Sequence, residues 1–198
     1  MDNTKSFKLT VGQYQVLNAI DPELTPIEQN IYSVAAIKDI TYNEASQVVM
    51  KEFGSIVAAL GEFNKQLTGS TKINSKVMLG EVEYHLESKP DKLVAGQLLD
   101  AINIRSSNPA TPVQVMDTFL AAIMKPKGGE YGSDNLTLNE RAALVRGANV
   151  AEVWSAFVFF WTLSSGYLSS TEDYLKEWMG EVEKVIRETL ELDGDSSQ

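Results

Sequence analysis

The chain has 198 residues, 43% of them hydrophobic and 22% charged, with a net charge of −10 and no cysteine. That length suffices for one good core, or for two small ones held against each other. The acidic balance and the lack of any basic patch argue against nucleic acid, and the missing cysteines remove disulfides, thiolate nucleophiles and cysteine-bound metals.

The opening stretch, Met1 to Lys8, is polar and has no apolar run of the signal-peptide kind. From there the chain reads as two copies of one helical module. Lys8-Leu9-Thr10-Val11-Gly12-Gln13 and Lys92-Leu93-Val94-Ala95-Gly96-Gln97 share Lys-Leu-x-x-Gly-Gln at an offset of 84. Thr25-Pro26-Ile27-Glu28 matches Thr111-Pro112-Val113-Gln114, and Ala35-Ala36-Ile37 matches Ala121-Ala122-Ile123, both at 86. Ile40-Thr41-Tyr42-Asn43-Glu44 then matches Leu136-Thr137-Leu138-Asn139-Glu140 at 96. The anchors keep their order, and the offset grows where the second copy carries Lys125-Pro126-Lys127-Gly128-Gly129.

Each anchor makes sense as a helix start. Thr25 and Thr111 precede a proline and stand three residues before Glu28 or Gln114, the spacing of a capping box. Thr41 with Glu44, Thr137 with Glu140, and more loosely Thr10 with Gln13, repeat it. These residues are read as structural punctuation. They predict three helices per module, over 10–20, 26–39 and 42–66, then over 94–104, 112–124 and 138–165.

Between the modules the texture changes. Val82, Tyr84 and Leu86 alternate with Glu81, Glu83, His85 and Glu87, which predicts a half-buried strand. Gly80 marks a turn that pairs it with Val77-Met78-Leu79. A lone hairpin is barely stable, so a third strand is expected, with Ser6-Phe7-Lys8 as its candidate.

After the second module, Tyr174, Leu175, Trp178, Met179, Val182, Val185, Ile186 and Leu190 form one apolar helical stripe, opposite a run of acidic residues. The last residues, Asp193 to Gln198, read as a disordered tail. The fold expected is therefore mainly α. It has a first helical module over 1–69, a β-hairpin connector over 70–91, a second module over 92–168, and a C-terminal amphipathic helix with an acidic tail over 169–198.

Chemistry is sparse. His85 is the sole histidine; with Glu83 and Glu87 it offers three metal ligands on paper, but alternation alone predicts the same three as a solvated strand face. No glycine-rich loop has phosphate-binding spacing, and Ser164-Ser165-Gly166 lacks the strand and histidine of a nucleophile elbow. The reading is non-enzymatic, with no catalytic residue, cofactor or metal. The longest uncharged run, Val153 to Ser170, holds too many serines to span a bilayer and is read as a core helix.

The densest feature is Trp154-Ser155-Ala156-Phe157-Val158-Phe159-Phe160-Trp161, whose aromatics fall on every side of a helix. A buried central helix explains them, and so does a partner-binding face, because aromatic anchors dominate interface energetics. The candidate protein-binding residues are Trp154, Phe157 and Trp161 here, and Tyr174, Trp178, Met179, Val182 and Ile186 in the C-terminal stripe.

The paired Lys-Leu-x-x-Gly-Gln motifs, the hairpin with Tyr84, Ala-Ala-Ile-Met-Lys-Pro-Lys and the Phe-Phe helix together resemble the tail assembly chaperones of tailed bacteriophages, over roughly Lys8 to Leu168. The resemblance implies a protein that binds and solubilises a tape measure protein and helps tail-tube subunits polymerise around it. It implies host cytoplasm during assembly, with homo-oligomerisation left open. A structural virion protein or adaptor, and a small-molecule or metal-binding enzyme using the inter-module cleft, remain as alternatives.

Overall fold

A computed structural model describes residues 7–69, 73–86, 94–108 and 111–166. Tyr174, Trp178, Met179, Val182 and Ile186, with the rest of the expected C-terminal helix and tail, lie outside the described residues. By contacts the chain divides into two compact units, Met1–Trp161 and Thr162–Gln198. The first holds every described element apart from the end of the last helix.

The protein is mostly helical with one small antiparallel sheet. Its elements are α1 (Val11–Asn18), α2 (Pro26–Lys38), α3 (Tyr42–Ser46), α4 (Met50–Gly69), β1 (Lys76–Leu79) and β2 (Val82–Leu86). They continue as α5 (Ala95–Ser107), a 3-10 turn (Pro112–Val115), α6 (Met116–Ile123), β3 (Met124–Pro126), α7 (Leu138–Arg146) and α8, a helix over 150–166.

Most starts follow from capping chemistry. Thr25, Thr41 and Thr137 each accept from the backbone N–H of a glutamate three residues on, and that glutamate accepts from the threonine N–H in return. Thr10 and Gln13 form the same box at α1. At α5 only half of it forms, because Val94 has no acceptor: Gln97 Oε1 accepts from the Val94 N–H at 3.3 Å.

Thr111 is a correction. It makes no side-chain cap, and Pro112 opens a 3-10 turn instead of a full helix. The Gln114 amide is engaged elsewhere, donating to the Gln15 carbonyl at 3.1 Å while Gln15 Nε2 donates back to the Gln114 carbonyl at 3.1 Å. The backbone N–H that the cap needed goes to the Thr111 carbonyl at 3.0 Å and closes the 3-10 turn.

The third helix of each half is also corrected, because it is two helices. Gln47 and Val48 donate to the Glu44 and Ala45 carbonyls, closing a turn between α3 and α4. Gly147 and Ala148 do the same with Leu144 and Val145 between α7 and α8. Asp39 and Asn135, the positive-φ non-glycine residues among those described, each stand two positions before a capping threonine. Short polar side chains tolerate that left-handed geometry best.

The hairpin is as expected, with Gly80 at φ 61° in its two-residue turn, where a left-handed first residue matches the strand twist. Its third strand is not Ser6-Phe7-Lys8. β3 supplies it, pairing Tyr84 with Pro126 and Leu86 with Met124. Pro126 is tolerated because β3 is an edge.

The core of the second half is α6, buried from Met116 to Ile123 apart from half-buried Thr118, and continuing into Met124. Val145, Val150, Val153, Ala156 and Phe160 are buried with it, as are Leu9 and Val11 from the first half. Val11 donates to the Ala148 carbonyl and Val150 to the Leu9 carbonyl, each at 2.9 Å, so Thr10 and Asn149 form an antiparallel bridge. The first half has its own smaller cluster of Val34, Ala35, Ala45 and Phe53. Among the described residues no helix is long and apolar enough to cross a membrane.

Candidate protein-binding site

A groove of about 810 Å³ opens between α1 and α2. Its α1 side carries Gly12, Val16 and Ala19, followed by Ile20; its α2 side carries Tyr32, Ala35 and Ala36. Ile40 and Tyr42 close one end, and Gln114 and Arg146 reach in from the second half. The walls are mainly carbon. Val16 is 55% exposed, and the rings of Tyr32 and Tyr42 lean together at 4.6 Å between centroids.

Polar side chains join the elements around the groove. Asp117 is buried on α6 and accepts from Gln15 Nε2 at 2.8 Å and Arg146 Nε at 2.5 Å. That trio joins α1, α6 and α7. On the α2 side Gln13 Nε2 donates to the Ile37 carbonyl at 3.0 Å and fixes α1 against the end of α2. Among the described residues no buried side-chain nitrogen or oxygen lacks a partner.

In the second half a tyrosine ring packs on the start of α5. A Cβ on Gly96 would stand 3.3 Å from a ring carbon of Tyr131, so that ring lies directly on the helix backbone. The Tyr131 hydroxyl donates to Asp100, and burial first, then that carboxylate, pushes the phenol well above its usual range. Tyr131 belongs to the loop between β3 and α7. The shorter α2–α3 connection of the first half holds no such residue.

That loop is pinned by a second network. Asp134 accepts from Arg141 Nε and Nη2, each at 3.0 Å, and from the Tyr84 hydroxyl at 2.9 Å. Burial pushes the Asp134 carboxyl up, but Arg141 and Tyr84 outweigh it and hold it below the usual range. Arg141 Nη1 also donates to the Ala121 carbonyl at 2.9 Å, tying the loop to α6.

The aromatic run on α8 is divided. Phe157 is only 3% exposed and packs edge-on against Phe119, within the core. Trp154 and Trp161 are half-buried, each beside Phe157. Trp161 also stacks under the Arg105 guanidinium at 5.0 Å, and Trp154 meets Tyr14 edge-on at 5.5 Å. The groove residues went unnoticed in the sequence because they converge from α1, α2 and α7.

His85 faces Glu83 at 3.0 Å, and Lys127 Nζ donates to the same carboxylate at 3.1 Å. Among the described residues no group of three His, Cys, Asp or Glu side chains is placed to hold a metal ion. No family model matches the chain, and comparison with curated proteins and with solved structures finds no match either.

Proposed function

We propose that this chain is a non-enzymatic, client-binding protein of the tail assembly chaperone type, which covers an apolar helical segment of a tape measure or tail-tube protein. The same reading takes its two halves as copies of one module. One observation carries it: the α1–α2 groove is open and its walls are mainly apolar. An amphipathic helix inserts its apolar side chains into a groove of this kind. The net charge of −10 suits such a role, because the acidic outer surface keeps a complex with an aggregation-prone client in solution.

Co-expression with a tape measure protein tests this reading. The wild type is expected to raise the soluble yield of the client and to co-purify with it. Val16→Asp places a charge in the groove at an exposed position, so it is expected to abolish capture while leaving the melting temperature unchanged. Trp178→Asp probes the C-terminal stripe in the same assay. Capture lost only in Trp178→Asp moves the client site to that stripe, and no capture by the wild type removes the proposal.

A further inference from the structure

The two arginines of α7 are used differently. Arg141 is buried and consumed by the fold, with Nε and Nη2 donating to Asp134 and Nη1 to the Ala121 carbonyl. Arg146 engages Nε alone, on Asp117 Oδ2 at 2.5 Å, and its side chain is 63% exposed. A guanidinium carries five N–H donors. Among the described residues the Nη1 and Nη2 donors of Arg146 meet no partner. Those two nitrogens form the edge that receives a carboxylate end-on.

The fork is fixed in place by what lies behind it. Asp117 is 1% exposed, and its other oxygen accepts from Gln15 Nε2 at 2.8 Å, so the carboxylate is held from two sides. The stem is held as well: a Cβ on Gly12 would stand 3.4 Å from the Arg146 carbonyl and 3.6 Å from its Cβ. A free surface arginine loses rotamer entropy when it pairs, which is why exposed ion pairs contribute little. Arg146 has already lost that freedom to Asp117, and it lines the α1–α2 groove beside Gly12 and Gln15. We propose that Arg146 is the recognition residue of this groove, pairing through Nη1 and Nη2 with one acidic side chain on the helix that occupies it.

This rests on the reading of the groove as a helix site and names the helix that it takes. The charged residues of the lining are Arg146 and, at the left-handed end of α2, Asp39. A partner acidic along its whole length meets Asp39 and a chain of net charge −10, and both repel it. A wholly apolar helix seated against Arg146 takes water from the Nη groups and supplies no acceptor, which costs free energy. The segment that suits both charges is an amphipathic helix with a single carboxylate at the border of its apolar stripe and basic residues elsewhere. A guanidinium already immobilised against apolar walls binds such a carboxylate with little further ordering.

Peptide binding to the full chain, read by fluorescence anisotropy, tests this. The probes are synthetic amphipathic helices of leucine, alanine and lysine. A parent peptide carries glutamine at each position bordering the stripe, and a series replaces one glutamine at a time by glutamate. The wild type is expected to bind at least one glutamate peptide about tenfold more tightly than the parent, the step of one charge-assisted interaction. General electrostatics work the other way, because each glutamate adds negative charge to the partner of an acidic chain. Arg146→Lys keeps the charge and still reaches Asp117, but it has one ammonium in place of a two-edged fork. It is expected to bind the parent as the wild type does and to lose the preference. Equal binding of the parent and every glutamate peptide by the wild type overturns this proposal and leaves the groove reading standing, as does a preference that survives in Arg146→Lys. Binding of no peptide, or binding that Val16→Asp does not disturb, removes the groove as a helix site and this proposal with it.

Discussion

Gln97 and Ile123 are joined by a buried hydrogen bond, Nε2 to carbonyl at 2.5 Å, and Gln13 repeats it with Ile37 at 3.0 Å. In each half the same glutamine caps its own helix start and ties that helix to the end of an Ala-Ala-Ile segment. Gln97 is fully buried and Gln13 is not. Gln97→Ala is therefore expected to cost about 1–3 kcal/mol by leaving the Ile123 carbonyl unpaired, and Gln13→Ala distinctly less. Urea denaturation of the two variants checks the order; equal losses would show that burial does not separate them.

The capping threonines sort in a similar way. Thr41→Ala and Thr137→Ala are each expected to lose about 1 kcal/mol, the scale of an N-cap bond. Thr111→Ala is expected to be nearly silent, since Thr111 caps nothing. Thermal melts of the three variants decide this, and a Thr111 loss as large as the others would contradict the 3-10 assignment.

Much of the local structure was legible in the sequence because it rests on neighbours along the chain. The capping boxes at Thr25, Thr41 and Thr137, the alternation of β2 and the turn at Gly80 all involve residues within a few positions of one another. The breaks after Ser46 and Arg146 were missed for a physical reason: Gln47-Val48-Val49 contains neither glycine nor proline, and only Gly147 in the second half signals the stop. β3 was missed because Lys125-Pro126-Lys127-Gly128-Gly129 reads as a loop, and only pairing with β2 makes its first residues a strand. The groove depends on Asp117, Gln15 and Arg146 meeting from distant parts of the chain, which no short window contains.

The left-handed residues give a third test. Valine at position 39 or 135 forces a β-branched side chain into that region, at about 1–2 kcal/mol. Asp39→Gly and Asn135→Gly are expected to be neutral or mildly stabilising. Paired chemical denaturation of the valine and glycine variants measures the difference directly.

Acid should weaken the fold in a traceable way. The Thr41 and Thr137 backbone and hydroxyl groups hold Glu44 and Glu140 below their ordinary values, and Arg141 and Tyr84 hold Asp134 down against its burial. Depressed carboxyl values mean stability that is present above the unfolded values and lost as pH falls through the folded ones. Stability should thus decline progressively below about pH 5. Glu140→Gln keeps the acceptor but does not titrate, so its decline should be shallower. A decline unchanged in that variant would remove the box from the account.

The Arg141 network sets the largest single loss. Asp134→Ala strands a guanidinium whose side chain is only 6% exposed, at about 3–5 kcal/mol. Tyr84→Phe removes one donor and leaves the ion pair, at about 1 kcal/mol. Denaturation of the two variants and the double mutant gives the coupling between them.

The bridge between Thr10 and Asn149 also sets a timetable. Leu9 and Val11 pair with Ala148 and Val150, residues that follow them only after every helix and strand up to α7. The helices of the first half can form from local contacts, but the seam that seals α6 is a late, long-range closure.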